Sequence, residues 1–169
     1  MIQKLGMISI LVITSAFLPI SLFAGVKGLP EGESRVKVGE KAPLETTELK
    51  KAHEEGKAIL LMFGNPWHCI ACEKMWFVKE IMPKYEKEFA FIQLAAQRVK
   101  FWDPPEANVK LARRYGIQGE PWMFVIDKKG IVQHIFIGFT KVERIEEEMK
   151  KLLEKQTLDI GHRTSGQRQ

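Results

Sequence analysis

The sequence predicts an α/β fold in which a central mixed β-sheet is flanked by helices on both faces. Three observations predict it. Apolar runs of strand length alternate early in the chain with amphipathic helical stretches, an order that sets parallel pairing. A hairpin signal stands late, where runs at 122–127 and 131–137 are joined by Lys128-Lys129-Gly130. The first apolar run, Ala58-Ile59-Leu60-Leu61-Met62-Phe63, is uninterrupted, as suits a strand covered on both sides.

The elements follow in order. Thr46 and Thr47 are candidate caps for a helix to Glu55, with Leu49, Ala52 and His53 on one face and Gly56 placed to stop it. The first strand spans 57–63. After Gly64-Asn65-Pro66, the residues Met75, Val78, Met82, Tyr85 and Phe89 recur at helical spacing from Cys69 onward, and Pro83 must kink that helix or start a new one. A second strand spans 89–94. Asp103-Pro104-Pro105-Glu106 offers a cap, a proline for the first turn and an acid, opening a helix that runs to Tyr115 and stops at Gly116. After the hairpin, Thr140 to Glu143 reads as a capping box, and Val142, Ile145, Met149, Leu152 and Leu153 form the apolar stripe of a last helix.

The chain of 169 residues suits one domain with a real core. Within residues 1–24 Lys4 is the only charge, ahead of a mostly apolar run ending near Ala24, the layout of a secretory signal peptide. An uncleaved membrane anchor is the other reading. Either way the domain is expected outside the cytoplasm, in a periplasmic or equivalent compartment where disulfides persist. Residues 25–41 read as linker or irregular lead-in, 42–155 as the domain and 156–169 as a mobile tail. The net charge of +5 is dispersed among Lys-Glu pairs and the tail, poor grounds for nucleic acid binding, and none is expected. Membrane contact is expected only through an uncleaved amino-terminal segment.

Both cysteines of the chain lie in Pro66-Trp67-His68-Cys69-Ile70-Ala71-Cys72, at a strand-to-helix junction. With two cysteines, no thiolate-only zinc site can be completed, and neither a metal nor a cofactor is expected. Cys69 at the amino end of a helix meets unpaired N–H groups and the positive end of the dipole, which lower a thiol pKa and mark it as nucleophile. Cys72, one turn on and inward, is placed to attack a mixed disulfide at Cys69 and resolve it. A purely structural disulfide across so short a loop would restrict little chain entropy.

The element order, this motif, and Tyr115-Gly116-Ile117-Gln118-Gly119-Glu120-Pro121 before the hairpin together resemble the thioredoxin superfamily. Residues 57–75 look like the active-site stretch of exported thioredoxin-like proteins, including the carboxy-terminal periplasmic domain of DsbD, and the likeness covers about 46–153. The resemblance implies a thioredoxin-like fold and a cis Pro121 facing the cysteines. It also implies that the backbone of Glu120 pairs with a substrate peptide. Apart from the resemblance, Trp76, Phe77, Trp122 and Phe124 read as core or rim aromatics, with Trp67 and Trp122 as candidates to line a substrate groove. The chain departs from the pattern at three places. His68 stands where a tryptophan is usual, and either stabilises the Cys69 thiolate or faces solvent. No acid occupies the strand before the motif, where Leu61, Met62 and Phe63 are apolar. Glu120 replaces an apolar residue or threonine; it could oppose Cys69 ionisation, select basic substrate segments, serve as the missing base, or face solvent.

The function expected is a thiol-disulfide oxidoreductase acting on protein thiols and disulfides outside the cytoplasm. Ile70-Ala71 between the cysteines lacks the histidine of strong oxidants, which tilts it toward reduction or isomerisation fed by a membrane electron donor. The alternative is a copper(I) chaperone holding the metal by Cys69 and Cys72 with His68 or Met75, although no Met-rich or His-rich tract supports it.

Overall fold

The computed structural model describes residues 34–165 apart from His68, so the leader 1–24, most of the lead-in and the last tail residues lie outside it. The helices are α1 (Thr47–Glu54), α2 (Ile70–Trp76), α3 (Glu106–Tyr115) and α4 (Val142–Ser165). The strands are β1 (Ala58–Phe63), β2 (Phe89–Leu94), β3 (Trp122–Ile126) and β4 (Val132–Ile137). Among the described residues they form one sheet in the order β2-β1-β3-β4, β1 parallel to β2 and the other pairs antiparallel. The mixed sheet expected from the element order is therefore present.

The uninterrupted apolar strands are explained by two cores. Ile59, Leu61 and Phe63 of β1, with Trp122, Phe124 and Ile126 of β3, face α1 and α3. Ala58, Leu60 and Met62, with Met123 and Val125, face α2 and α4. Each strand alternates sides, yet each side is covered, so every residue of β1 is buried. Trp122 is thus a core residue at the strand start, stacked near Phe124, not the wall of a groove.

The ends of elements differ more from expectation. The stripe after Cys69 does not continue as one helix: α2 gives way at Phe77 to two 3-10 turns, Phe77–Glu80 and Met82–Tyr85. Pro83 lies inside the second of these turns and supplies no N–H there, but the change from α to 3-10 backbone begins six residues earlier, at Phe77. Tyr85 ties this segment to α4 by donating to Glu146 Oε1 at 2.6 Å. Burial, helped by that bond, pushes the Tyr85 hydroxyl up to about 12, and the same bond holds the Glu146 carboxyl below its usual value. Asp103 does not cap α3; it pairs with Arg98 instead, and Pro105 stands at the N-cap, its carbonyl accepting from Asn108 and Val109.

α4 opens at Val142, one residue later than a cap at Thr140 would place it, with the Lys141 carbonyl accepting the N–H groups of Arg144 and Ile145. It continues to Ser165, past the expected end at 155: no proline or glycine interrupts it between Leu153 and Gly161, and it runs on through Gly161. The lead-in packs from Ser34 onward: Val36 and Ala42 are buried, and the Arg35 N–H and Ser34 hydroxyl both donate to the Tyr115 carbonyl. Gly116 permits this approach, having φ +77° and leaving only 2.7 Å between a would-be Cβ and the Arg35 nitrogen.

His134 on β4 gives the fold a predicted pH dependence. Its ring lies 4.4 Å from that of Phe136, and its Nδ1 is 3.6 Å from Glu148. Burial lowers its pKa and outweighs Glu148, whose charge is shared with Arg144 and Lys151. The native state thus favours the neutral ring, whereas the unfolded chain protonates near pH ~6.5. The contribution is present above that value and is lost as pH falls below it. Urea midpoints should therefore drop between pH 7.5 and 5.5. His134→Gln should shrink that difference; an unchanged difference would locate the titrating group elsewhere.

Candidate active site

Strand β1 delivers the chain into a pinned loop. The Gly64 N–H donates to the Leu94 carbonyl, and the Gly64 carbonyl accepts from Gln93 Nε2 at 2.7 Å, so both backbone groups are held by β2. Asn65 is buried, and its Oδ1 accepts the Trp67 N–H at 3.0 Å, a local turn of the kind asparagine favours. Trp67 follows with 89% of its surface exposed, so it lies beside the cysteines as a rim residue. His68 lies outside the described residues.

Cys69 is the N-cap of α2, with extended backbone, and its sulfur accepts the Cys72 N–H at 3.1 Å. One side-chain atom thus serves as helix cap and as one half of the disulfide. The N–H donation and the helix dipole favour negative charge on that sulfur. Cys69 is partly exposed, while Cys72 is fully buried in the core cluster with Met62 and Met75. The pair forms a disulfide, Cα to Cα 5.1 Å.

Gly64 explains how Cys72 fits. A Cβ there would lie 3.1 Å from the Cys72 sulfur and 2.9 Å from the Met62 methyl, tighter than ordinary contact, so the glycine leaves room for both. Met62 therefore presents a thioether methyl on the Cys72 side of the sheet, where a carboxylate would otherwise be sought. Met75, the candidate third soft ligand of the copper reading, is completely buried in this same core.

Opposite Cys69 stands the loop entering β3. The Glu120–Pro121 peptide bond is cis, Pro121 is buried, and the Pro121 carbonyl accepts the Gly138 N–H at 2.9 Å. The Glu120 carbonyl is 3.8 Å from the Cys69 sulfur. In the disulfide this is a contact; a reduced Cys69 could donate there. The Glu120 carboxylate accepts the N–H groups of Asn65 and Gln97. The structure thus brings Trp67, Cys69, Cys72, Glu120 and Pro121 together.

The sequence marks Gly64-Asn65-Pro66 as a turn after the first strand, but not the bonds that hold this loop, and Gln93 and Gln97 carry no local signal of their part in them. Outside the cysteines, a cleft of about 270 Å³ is lined by Pro66, Trp67, Glu73, Trp76 and Phe77, with Lys79 lying over the Trp76 ring. Ile70 is largely exposed as well, so the rim sets exposed apolar groups beside Glu73, Lys79 and Glu80.

Comparison with known proteins agrees with the geometry. The family model of the thioredoxin-like domain matches residues 46–153. A protein of Bacillus thuringiensis subsp. konkukian named thiol-disulfide oxidoreductase ResA is 30% identical over 141 residues, covering 71% of this chain and 81% of its own. Its namesake in Bacillus thuringiensis strain Al Hakam is 29% identical over 164 residues, covering 85% and 92%. Among solved structures, a domain of a Bacteroides thetaiotaomicron thiol-disulfide oxidoreductase superposes with TM-score 0.56 at 15% identity, covering 72% of this chain and 99% of that one. A Chlorobium tepidum structure described as a thiol:disulfide interchange protein DsbE gives 0.54 at 24%, covering 70% and 99%. The structural matches bear on the fold alone, and the finer likeness to the DsbD domain stays with the motif. By the family match and by the fold, the chain belongs to the thioredoxin-like domain family.

Proposed function

We propose that the chain is an extracytoplasmic thiol-disulfide oxidoreductase that reduces or isomerises disulfides in proteins, with Cys69 attacking and Cys72 resolving. What supports this most is the Cys69 sulfur itself: partly exposed, capping α2, accepting the Cys72 N–H, and facing the Glu120–Pro121 loop. The names of the relatives support the same reaction class. The leader-like segment 1–24 supports export, or an anchor if it is retained.

The steps balance as follows. The Cys69 thiolate attacks one sulfur of a substrate disulfide, forming a new S–S bond and releasing the other substrate sulfur as a thiolate. Cys72, deprotonated, then attacks the Cys69 sulfur and releases the second substrate thiolate. Two electrons pass to the substrate, and the Cys69–Cys72 disulfide is the oxidised product. The proton of Cys72 goes to water or to a departing thiolate, since Met62 offers no base on that side. Trp67, Glu120 and Pro121 form the surface the partner polypeptide meets, its backbone running along Glu120, and His68 joins them as a candidate by its place in the motif alone. Regeneration requires an electron donor, for which a membrane protein thiol is the natural source in an oxidising compartment.

The test is catalysis of insulin disulfide reduction by purified protein with dithiothreitol, together with the reduction potential. Faster reduction, with a potential more negative than about −180 mV, supports a reductase or isomerase. A potential near about −120 mV would make it an oxidant and reverse the direction. Failure to catalyse disulfide exchange at all would remove the enzyme reading.

A further inference from the structure

Glu120 lies where three loops meet. One carboxylate oxygen accepts the Asn65 N–H at 2.9 Å and the other accepts the Gln97 N–H at 3.2 Å. Asn65 belongs to the loop carrying Cys69, Gln97 to the loop between β2 and α3, and Glu120 to the loop entering β3. The donors are 55 and 23 residues away in sequence, so local structure contributes nothing to either bond. Asn65 also turns its side chain to the Trp67 N–H, which fixes the chain on both sides of Pro66, just ahead of Cys69. Through its backbone, meanwhile, Glu120 faces the Cys69 sulfur at 3.8 Å.

The residue type fits this duty. Two converging N–H donors need an acceptor at each oxygen, and bonds to a charged acceptor are shorter and stronger than neutral ones. A glutamine of the same shape has one oxygen and one NH₂, so one donor would face another donor. Threonine or an apolar residue offers no pair of acceptors at all.

We propose that Glu120 is a positioning residue: its carboxylate clamps the cysteine loop to the β2–α3 loop and so sets the spacing between the Cys69 sulfur and the backbone at cis-Pro121. The consequence for catalysis rests on the function proposed above, in which a partner polypeptide runs along that backbone while its disulfide meets Cys69. The clamp acts on loops.

The test uses the full chain with Glu120→Gln and Glu120→Asp. The first readout needs no activity: amide hydrogen exchange at Asn65 and Gln97 should accelerate about tenfold or more at one or both in the glutamine variant, with β1 and β3 amides unchanged. Unchanged exchange at both overturns the clamp. The second compares kcat/KM for insulin and for glutathione disulfide. The loss for insulin should be about fivefold larger than for the small disulfide and should be carried by KM. Equal losses overturn the proposal, because Glu120 would then act on the sulfur chemistry or the fold. Glu120→Asp keeps the charge but loses reach and should resemble the glutamine variant; wild-type behaviour would mean that charge, not span, is what matters. If the wild-type protein reduces neither disulfide, the function reading fails and hydrogen exchange alone decides the clamp.

Discussion

Replacement of Cys72 by serine should leave a protein that captures its substrates and does not release them. The buried resolving thiol is then gone while Cys69 still caps α2 and still receives the residue 72 N–H. Attack at Cys69 therefore proceeds and stalls at the mixed disulfide. Non-reducing electrophoresis from the native host should show adducts that dithiothreitol removes, and mass spectrometry should place the link at Cys69. Replacement of Cys69 by serine should abolish both turnover and adducts, since the remaining thiol is enclosed by Gly64, Met62 and Met75. Adducts on Cys72 in that variant would mean that the order of attack is the reverse of the one proposed. Both variants should stay folded, because a crosslink over so short a loop restricts the unfolded chain only slightly.

The second large effect is on stability. Phe63 ends β1, is fully buried, and holds its ring 5.2 Å from that of Tyr115 and 6.1 Å from that of Phe124. Tyr115 and Phe124 are themselves 4.7 Å apart, so the three rings form one cluster between the sheet and α3. Phe63→Ala should cost about 3–5 kcal/mol, the removed ring adding its lost transfer energy to a cavity that fixed backbone on both sides cannot close. Urea unfolding of the oxidised protein measures it. A loss under about 1.5 kcal/mol would show that the neighbouring rings collapse into the gap. Because Phe63 immediately precedes Gly64, the same variant should also loosen the cysteine loop, unlike a core change remote from β1.

The sequence made the interior of the elements legible and their ends much less so. β2 occupies 89–94 as its apolar run indicates, and β1 begins one residue inside its expected start. Burial on both faces leaves a composition that can be read locally. The break of the helix after Trp76 could be read only in part: Pro83 announced an interruption but not where it begins, because 3-10 and α backbones share the same apolar spacing over one or two turns. Asp103 looked like a cap and pairs with Arg98, a choice between two short-range partners that spacing does not decide.

At the site, the place of the cysteines at a helix start followed from the sequence, and the resemblance pointed to Glu120 and Pro121 opposite them. Engagement of the Glu120 carboxylate by two backbone N–H groups was not readable. A main-chain donor looks the same in every residue type, so nothing in Gln97 or Asn65 advertises that it will meet a particular side chain across the fold.

The unequal exposure of the two sulfurs has a consequence for the protein's lifetime. An oxidant that reaches the reduced protein from solvent meets Cys69 first, while the other sulfur is sheltered behind a glycine and two thioethers. The first oxidation product, a sulfenic acid, has a thiol one helical turn away and can close to the disulfide before further oxygen is added. Burial of Cys72 thus keeps a repair partner in reserve, and wear from peroxide is diverted into a state the catalytic cycle already visits.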